Sequence, residues 1–225
     1  MKHIQNKNTI KNTLCRSAVI LAGGKSLRMG QDKQSLVRRG KLLVHSLIHQ
    51  LEDYFEEVIV VTNSPGLYQD QNVLLTRDKL PSCGPMSGIH AALSVSASAY
   101  IYLTACDMPN FELELLELLL ERLNSCHPCT GVAVERKFKS RDGSTRLRPE
   151  IFHAIYSQSL IPQLESHILS QRCKLEPFMR ERDFHFLNEK KVRQVLPDWS
   201  VFTNVNTPGQ ACAEGLSLMA KNNYS

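Results

Sequence analysis

The chain has 225 residues, of which 42% are hydrophobic and 22% are charged, and its formal net charge is +5. These values are typical of a single globular domain, and no apolar run approaches the roughly 20 residues of a membrane helix, so we expect no membrane partner. Basic residues gather in 1–16 and 136–148 rather than along one helical face, which favours small anions over nucleic acid as ligands.

The domain limits follow from composition. Residues 1–16 are polar, rich in Asn and Lys, and lack the apolar segment of a secretory signal, so they predict a disordered extension. Residues 17–218 predict one domain, and 219–225 predict a frayed end.

The seven cysteines are scattered and odd in number. This usage is typical of reduced thiols, and we expect a cytoplasmic protein without a disulfide framework. Cys126 and Cys129 have the spacing of half a zinc site, but the sequence supplies no second close pair, which favours two free thiols in a loop.

The first predicted element is a buried strand at Ser17–Leu21, which runs into a loop rich in Gly, Lys and Arg. Backbone N–H groups and cations in such a loop suit a polyphosphate. A P-loop would need glycine where Val19 stands, and a dinucleotide fingerprint would need glycine where Lys25 stands. The loop is therefore a third kind of phosphate-binding loop.

Strands and helices then alternate along the chain. We expect helices at 42–55, 84–98, 111–123 and 158–170, strands at 58–61, 73–75, 100–105, 131–134 and 151–156, and a last helix that Thr207 caps and Pro208 begins. The basic segment 139–148 contains Asp142-Gly143 and predicts a turn or flexible loop. The alternation predicts an α/β fold with a single doubly wound, mostly parallel sheet and helices on both faces.

Polar residues follow several of these strands. Asp78 and Asp107 each come after a predicted strand, and Asn204 and Asn206 lie near the end of the domain. Ligands of open α/β sheets bind beyond the carboxyl ends of the strands, so these side chains are expected at one cleft. Asp107 is the predicted Mg²⁺ ligand, because this ion takes one or two carboxylates and completes its shell with water and substrate phosphates.

The loop Leu-Ala-Gly-Gly-x-Ser-x-Arg-Met-Gly-x-Asp-Lys, from Leu21 to Lys33, resembles the signature of the molybdenum cofactor guanylyltransferases, a family of nucleotidyltransferases with a Rossmann-like fold. Cys-Asp-x-Pro at Asp107, Gly-Pro-x-x-Gly at 84–88 after Asp78, and Asn-x-Asn-Thr-Pro at 204–208 are similar to further family motifs in the same order. Arg148-Pro149 departs from the family, whose members usually have His-Pro there.

The resemblance implies roles for individual residues. GTP would contact Leu21, Ala22, Gly23, Gly24, Lys33, Asn63, Asp78, Gly84, Gly88 and Asp107. Arg28, Lys33 and Asp107 would be catalytic, Asp107 would hold Mg²⁺, and Asn204 and Asn206 would face the pterin substrate.

The implied reaction is GMP transfer from GTP to the phosphate of molybdopterin, with pyrophosphate as the leaving group. Positioning and charge neutralisation would carry such a reaction. The implied protein partners are molybdenum cofactor insertion proteins or target molybdoenzymes, in transient contact.

Three alternatives stay open. The first is a related nucleotidyltransferase that uses CTP or a sugar phosphate; cytidylyltransferases typically carry Leu-Ala-Ala-Gly, whereas Gly23 makes Leu-Ala-Gly-Gly here. The second is a non-catalytic carrier of the nucleotide or cofactor, which need not keep both Lys33 and Asp107. The third, a nucleic-acid-binding protein, is supported only by 136–148, where Phe138 is the sole aromatic residue.

Overall fold

The apolar run after Arg16 forms the first strand, β1 (Ser17–Leu21), which is buried along its whole length. The computed structural model describes residues 12–23, 33–140 and 142–218. The further strands are β2 (Leu36–Arg38), β3 (Lys41–Leu42), β4 (Glu57–Val61), β5 (Leu74–Thr76), β6 (Tyr100–Ala105), β7 (Gly131–Lys139), β8 (Thr145–Pro149), β9 (Ala154–Ser157), β10 (Phe184–Asn188) and β11 (Ser217–Leu218). The α-helices are α1 (Leu43–Glu52), α2 (Pro85–Leu93), α3 (Leu113–Cys126), α4 (Ile161–Leu169), α5 (Leu175–Arg180), α6 (Glu189–Val192) and α7 (Pro208–Ala213).

The main sheet has the strand order β10-β7-β9-β6-β1-β4-β5, and β8 pairs with the distal part of β7. Strands β1, β4, β5 and β6 run parallel, as do β7 and β10, whereas β9 is antiparallel to both of its neighbours and β8 is antiparallel to β7. The predicted α/β fold with a mostly parallel sheet is confirmed.

Helices cover both faces of this sheet. Alternate residues of β1 point to opposite sides, with Ile20 in the core beneath α1 and α3 and Val19 in the core beneath α2, α4 and α5. Because strands buried on both faces need apolar residues at every position, β1 and β4 consist of nearly continuous apolar runs. A second sheet of three short strands, β11-β2-β3, was not predicted.

The predicted strands at 17–21 and 100–105 are confirmed residue for residue. The helix predicted at 84–98 ends at Leu93, because the following serines hydrogen-bond locally: Ser94 Oγ donates to the His90 carbonyl at 2.7 Å, and Ser96 Oγ accepts from the Ser98 N–H at 3.1 Å. Thr207 caps α7 as predicted, since its side chain accepts from the Gln210 N–H.

The prediction of a turn or flexible loop at 139–148 is wrong for half of its length, namely Lys139 and residues 145–148. Strand β7 continues to Lys139 and pairs with β8, so Lys139, Arg146 and Arg148 belong to a hairpin and have exposed side chains. The predicted turn is confirmed: Gly143 has a φ of 81°, and its N–H donates to the Ser140 carbonyl at 3.0 Å. The strand predicted at 151–156 begins only at Ala154, because His153 has a φ of 50°.

Residues 12–16 belong to the packed domain, so the disorder predicted for 1–16 does not apply to them. Asn12 is buried, its side chain accepts hydrogen bonds from the N–H groups of Leu14 and Cys15, and the Leu14 carbonyl accepts from the Tyr100 N–H at 3.0 Å. The tails 1–11 and 219–225 lie outside the described residues. No helix in the described ranges is both long and apolar enough to cross a membrane.

A disulfide joins Cys83 and Cys173, whose Cα atoms lie 5.0 Å apart. The prediction that all seven cysteines are reduced is therefore wrong for this pair, because the topology brings together two thiols that are 90 residues apart in the chain. The other five cysteines, all within the described ranges, keep their thiols; Cys126 and Cys129 are among them, with sulfur atoms 3.0 Å apart. The cytoplasmic location, which was inferred from reduced thiols, stays a prediction with less support.

We expect Cys83→Ser to lower the free energy of unfolding by about 2–4 kcal/mol, because the bond restricts the unfolded chain across a long loop. Urea denaturation of the air-oxidised protein measures the loss, and Cys212→Ser, which alters an exposed free thiol, is the matched control. Thiol titration of the unreduced, unfolded chain should give five groups, seven minus two. Seven titratable thiols would show that the bond does not form.

Candidate active site

A cleft of about 660 Å³ opens at the carboxyl ends of β1, β4 and β6. Nine residues predicted to contact GTP line it: Leu21, Ala22, Gly23, Lys33, Asn63, Asp78, Gly84, Gly88 and Asp107. The structure thus brings together side chains from distant parts of the chain, and their contact with GTP stays a prediction. Gly24 and Arg28, the remaining predicted residues of the loop, lie outside the described residues.

Lys33 and Asp107 form an ion pair at one end of this cleft. The Lys33 Nζ atom lies 2.5 Å from Asp107 Oδ2 and donates to Asn206 Oδ1 at 2.6 Å. Both charged side chains are partly shielded, with exposed fractions of 24% for Lys33 and 13% for Asp107. An ammonium group held in this way is a fixed positive charge beside a cleft, which is suited to a phosphate.

The segment 204–206 is attached directly to Asp107. The Val205 N–H donates to the Asp107 carbonyl at 2.9 Å, and Val205 is fully buried in the core around the small sheet. The Oδ1 atom of Asn204 is buried and has no hydrogen-bond partner among the described residues. The Asn204 and Asp107 oxygens are hard donors of the kind that Mg²⁺ prefers, so the residues present fit this ion.

The first loop enters the cleft from β1. The Ala22 N–H donates to the Val61 carbonyl at 2.9 Å, which continues the pairing of β1 with β4 beyond the strand ends. A Cβ atom on Gly23 would lie 3.8 Å from that same carbonyl oxygen, an ordinary contact. Packing against the described residues therefore does not require glycine at 23, so we look for the reason for the missing side chain in the cleft.

The opposite wall is formed by the segment 78–88. Gly84 has a φ of 61° before α2 begins, and Ser87 Oγ holds the turn by accepting from the Cys83 N–H at 2.8 Å and donating to the Pro81 carbonyl at 2.9 Å. A Cβ atom on Gly88 would lie 3.0 Å from Leu21 Cδ2, so glycine lets α2 approach the cleft floor closely. Asp78 lies at the exposed rim, where partial burial of its carboxyl raises its pKa.

Several lining residues were not predicted. Gln34 is buried directly beside Lys33, and Thr62, Leu80 and Phe152 also face the cleft. Gln34 directly follows the motif that ends at Lys33. This position is the one feature of the sequence that could have placed Gln34 at the site. Phe152 lies within the predicted strand 151–156, where an apolar residue gives no indication of a ligand site.

His153 connects the sheet to the Asn204 segment. Its Nδ1 atom lies 2.6 Å from the Tyr102 hydroxyl, and its ring meets the edge of Phe202 at a centroid distance of 5.9 Å. The side chain is fully buried, which disfavours the charged imidazolium and lowers its pKa to about 3. His153 is thus a neutral structural residue under the cleft.

Two arginines of the basic hairpin, Arg136 and Arg148, have partners of opposite charge. Arg136 pairs with Glu150 and lies over the rings of Phe138, Trp199 and Phe202. Arg148, at the position that departs from the resemblance, lies 3.3 Å from a carboxylate oxygen of Glu176. The positive charges of these two side chains are therefore balanced within the protein.

Comparison with known proteins places this cleft in a family context. The model of the MobA-like NTP transferase domain matches residues 18–185. A protein of Syntrophotalea carbinolica named molybdenum cofactor guanylyltransferase is 36% identical over 191 residues, which cover 85% of this chain and 86% of that protein. A probable molybdenum cofactor guanylyltransferase of Peptoclostridium acidaminophilum is 33% identical over 194 residues, which cover 85% of this chain and 84% of that protein.

The fold also matches solved structures. The crystal structure of molybdopterin-guanine dinucleotide biosynthesis protein A from Archaeoglobus fulgidus superimposes with a TM-score of 0.72 at 23% sequence identity, covering 88% of this chain and 95% of that one. This likeness shows a common fold.

We expect acid to destabilise the protein through His153. The unfolded chain takes up a proton near pH 6.5, whereas the folded chain resists it down to a pKa of about 3, so stability is present above 6.5 and is lost as the pH falls. Asparagine tolerates a positive φ, and it cannot take up the proton that His153 binds in the unfolded chain. Between about pH 6 and pH 4, the free energy of unfolding of His153→Asn should therefore change with pH by about 1.4 kcal/mol per pH unit less than that of the wild type. Parallel curves in urea titrations of the two proteins would contradict this.

Proposed function

This chain belongs to the MobA-like NTP transferase family, and from that membership we propose that it transfers GMP from GTP to molybdopterin, forming molybdopterin guanine dinucleotide and pyrophosphate. The observation that carries the proposal is the Lys33 ammonium, held between Asp107 and Asn206 at the end of a cleft large enough for a nucleotide. GTP-binding roles for the lining residues and a pterin-facing role for Asn204 and Asn206 are part of this proposal.

The proposed reaction is an in-line displacement at phosphorus. A phosphate oxygen of molybdopterin forms a bond to the α-phosphorus of GTP, and the bond from that phosphorus to the oxygen bridging to the β-phosphate breaks. The electron pair leaves with pyrophosphate. A phosphate monoester is already ionised near neutral pH, so the protein's tasks are orientation and the neutralisation of negative charge.

Lys33 would carry the largest share of this work among the described residues. Its ammonium group is fixed by two oxygen partners and offers its third proton to a substrate phosphate. Asn206 would orient that group, and Arg28, outside the described residues, is proposed to assist.

The family membership establishes a nucleotidyltransferase, and we further propose Mg²⁺ as its metal. Asp107 would hold the ion, with the buried and unpartnered Asn204 Oδ1 as a second oxygen donor. When bound, Mg²⁺ would offset the charge of the GTP phosphates.

Guanine is the proposed base because a Cβ atom at Gly23 would meet only one atom of the described residues, the Val61 carbonyl oxygen at 3.8 Å, so the glycine leaves room on the cleft side. A side chain at this position would narrow the cleft for a purine, as expected for the cytidylyltransferase alternative. A carrier without catalysis would not need the Lys33–Asp107 pair, which is partly shielded from solvent and thus carries a desolvation cost. Contacts with insertion proteins or target molybdoenzymes remain predictions.

We expect Asp107→Asn to lower the rate of pyrophosphate release by about a thousandfold, because the variant keeps the shape but loses the charge that would hold the metal. The assay contains GTP, Mg²⁺ and molybdopterin, and mass spectrometry identifies the dinucleotide. Asp70→Asn, which alters an exposed carboxylate, is the control. Full turnover by Asp107→Asn with an unchanged circular dichroism spectrum would show that the reaction does not need the Asp107 carboxylate.

A further inference from the structure

A polar side chain that the family motif does not include lies at the floor of the cleft. Gln34 directly follows Lys33, and the two share a short 3₁₀ helix, Lys33–Ser35. Gln34 is buried, with only 4% of its surface exposed. Burial of an amide is costly unless its polar atoms are paired, so the partners of this group are informative.

Two hydroxyl groups converge on the amide oxygen of Gln34. Thr62 Oγ1 donates to Oε1 at 2.8 Å, and the Tyr68 hydroxyl donates to the same atom at 2.7 Å. The carbonyl oxygen therefore receives two good hydrogen bonds, one for each lone pair.

Both donors are themselves held by neighbouring elements. The Thr62 N–H donates to the Thr76 carbonyl at 2.9 Å, which ties it to β5, and Thr62 Oγ1 also accepts from the Ser64 N–H at 2.9 Å. Tyr68 is fully buried at the end of the 3₁₀ helix Pro65–Tyr68, and the preceding Leu67 carbonyl contacts His45 Nε2 at 2.7 Å. The oxygen of Gln34 is thus held by the segment that connects β4 to β5.

Lys33 reaches in the other direction. Its side chain spans to Asp107, after β6, and to Asn206, near the domain's end. Polar contacts from Tyr68 to Gln34 and from Lys33 to Asn206, joined by the peptide bond between Lys33 and Gln34, therefore cross the carboxyl edge of the sheet. Because Lys33 has a flexible four-carbon stem, the reach of its ammonium depends on where the backbone at 33 is anchored.

We propose that Gln34 is a positioning residue for Lys33: its amide oxygen, held by Thr62 and Tyr68, sets the distance from which the Lys33 ammonium meets Asp107 and the nucleotide. The inference rests on the proposed function for its effect on turnover. Gln34 is anchored by its acceptor oxygen, and its effect on the reaction passes through Lys33. Loss of that oxygen lets the 3₁₀ helix shift, and a displacement of about 1 Å in a catalytic group lowers rates by about a hundredfold.

The test is a double-mutant cycle. Gln34→Met keeps the length of the side chain but removes the acceptor, so kcat for GMP transfer should fall by about 10- to 100-fold with Lys33 present. In the Lys33→Met background the same change should lower the remaining rate less than about twofold, because the group that Gln34 positions is gone. Gln34→Glu keeps an acceptor and should restore kcat to within about threefold of the wild type.

If Gln34→Met does not fold, a second variant with a smaller structural change still tests the proposal. Tyr68→Phe removes one donor and leaves Gln34 in place, and it should lower kcat by about three- to tenfold only when Lys33 is intact. Tyr100→Phe is the matched control, since it removes a buried tyrosine hydroxyl that donates to the Cys129 carbonyl at 2.8 Å and takes no part in this network. It should leave kcat unchanged.

Equal losses from Gln34→Met in the wild-type and Lys33→Met backgrounds would overturn the proposal, as would equal losses from Gln34→Glu and Gln34→Met. Calorimetric titration of the same variants with Mg²⁺ and GTP gives a second reading, in which Gln34→Met weakens binding only when Lys33 is present. If the wild type binds GTP but forms no dinucleotide, the proposed reaction fails, and these affinities still decide the role of Gln34.

Discussion

The ion pair between Lys33 and Asp107 is the interaction on which the site depends. Lys33 lies 74 residues before Asp107 and 173 residues before Asn206, yet a single ammonium group contacts both. The sheet makes this possible, because parallel strands β1 and β6 end at the same edge and carry their following residues to one place. The hydrogen bond from Val205 to the Asp107 backbone then brings in the end of the domain. The position of the Lys33 ammonium therefore depends on strands and segments from the whole domain.

The sequence predicts much of this arrangement, for reasons that are local. Strands β1 and β6 are buried on both faces, so their apolar runs begin and end where the strands do. Lys33, Asp107 and Asn206 stand in motifs of fixed spacing, and the structure brings them together as expected. The basic hairpin was missed because its pairing is an edge interaction between polar strands, for which side-chain alternation gives no signal. Gln34 was missed because its importance comes from two hydroxyls that only the tertiary structure brings within reach.

The opposite wall of the cleft shows a second constraint that sequence reasoning misjudged. Cys83 stands directly before Gly84, and its bond to Cys173 ties this wall to the connection between α4 and α5. Counting cysteines indicated reduced thiols, since pairing across 90 residues depends on topology rather than on spacing. The two walls are thus built differently: one is held by polar contacts around Lys33, the other by a covalent bond and the close contact of Gly88 with Leu21.

The most direct measurement of the central claim is a crystal structure of the protein with Mg²⁺ and a slowly reacting analogue of GTP. The account predicts a metal ion liganded by Asp107, phosphates within hydrogen-bond distance of the Lys33 ammonium, and the base between Gly23 and the Gly84–Gly88 turn. A nucleotide bound outside this cleft, or an Asp107 carboxylate that faces away from the metal, would contradict it.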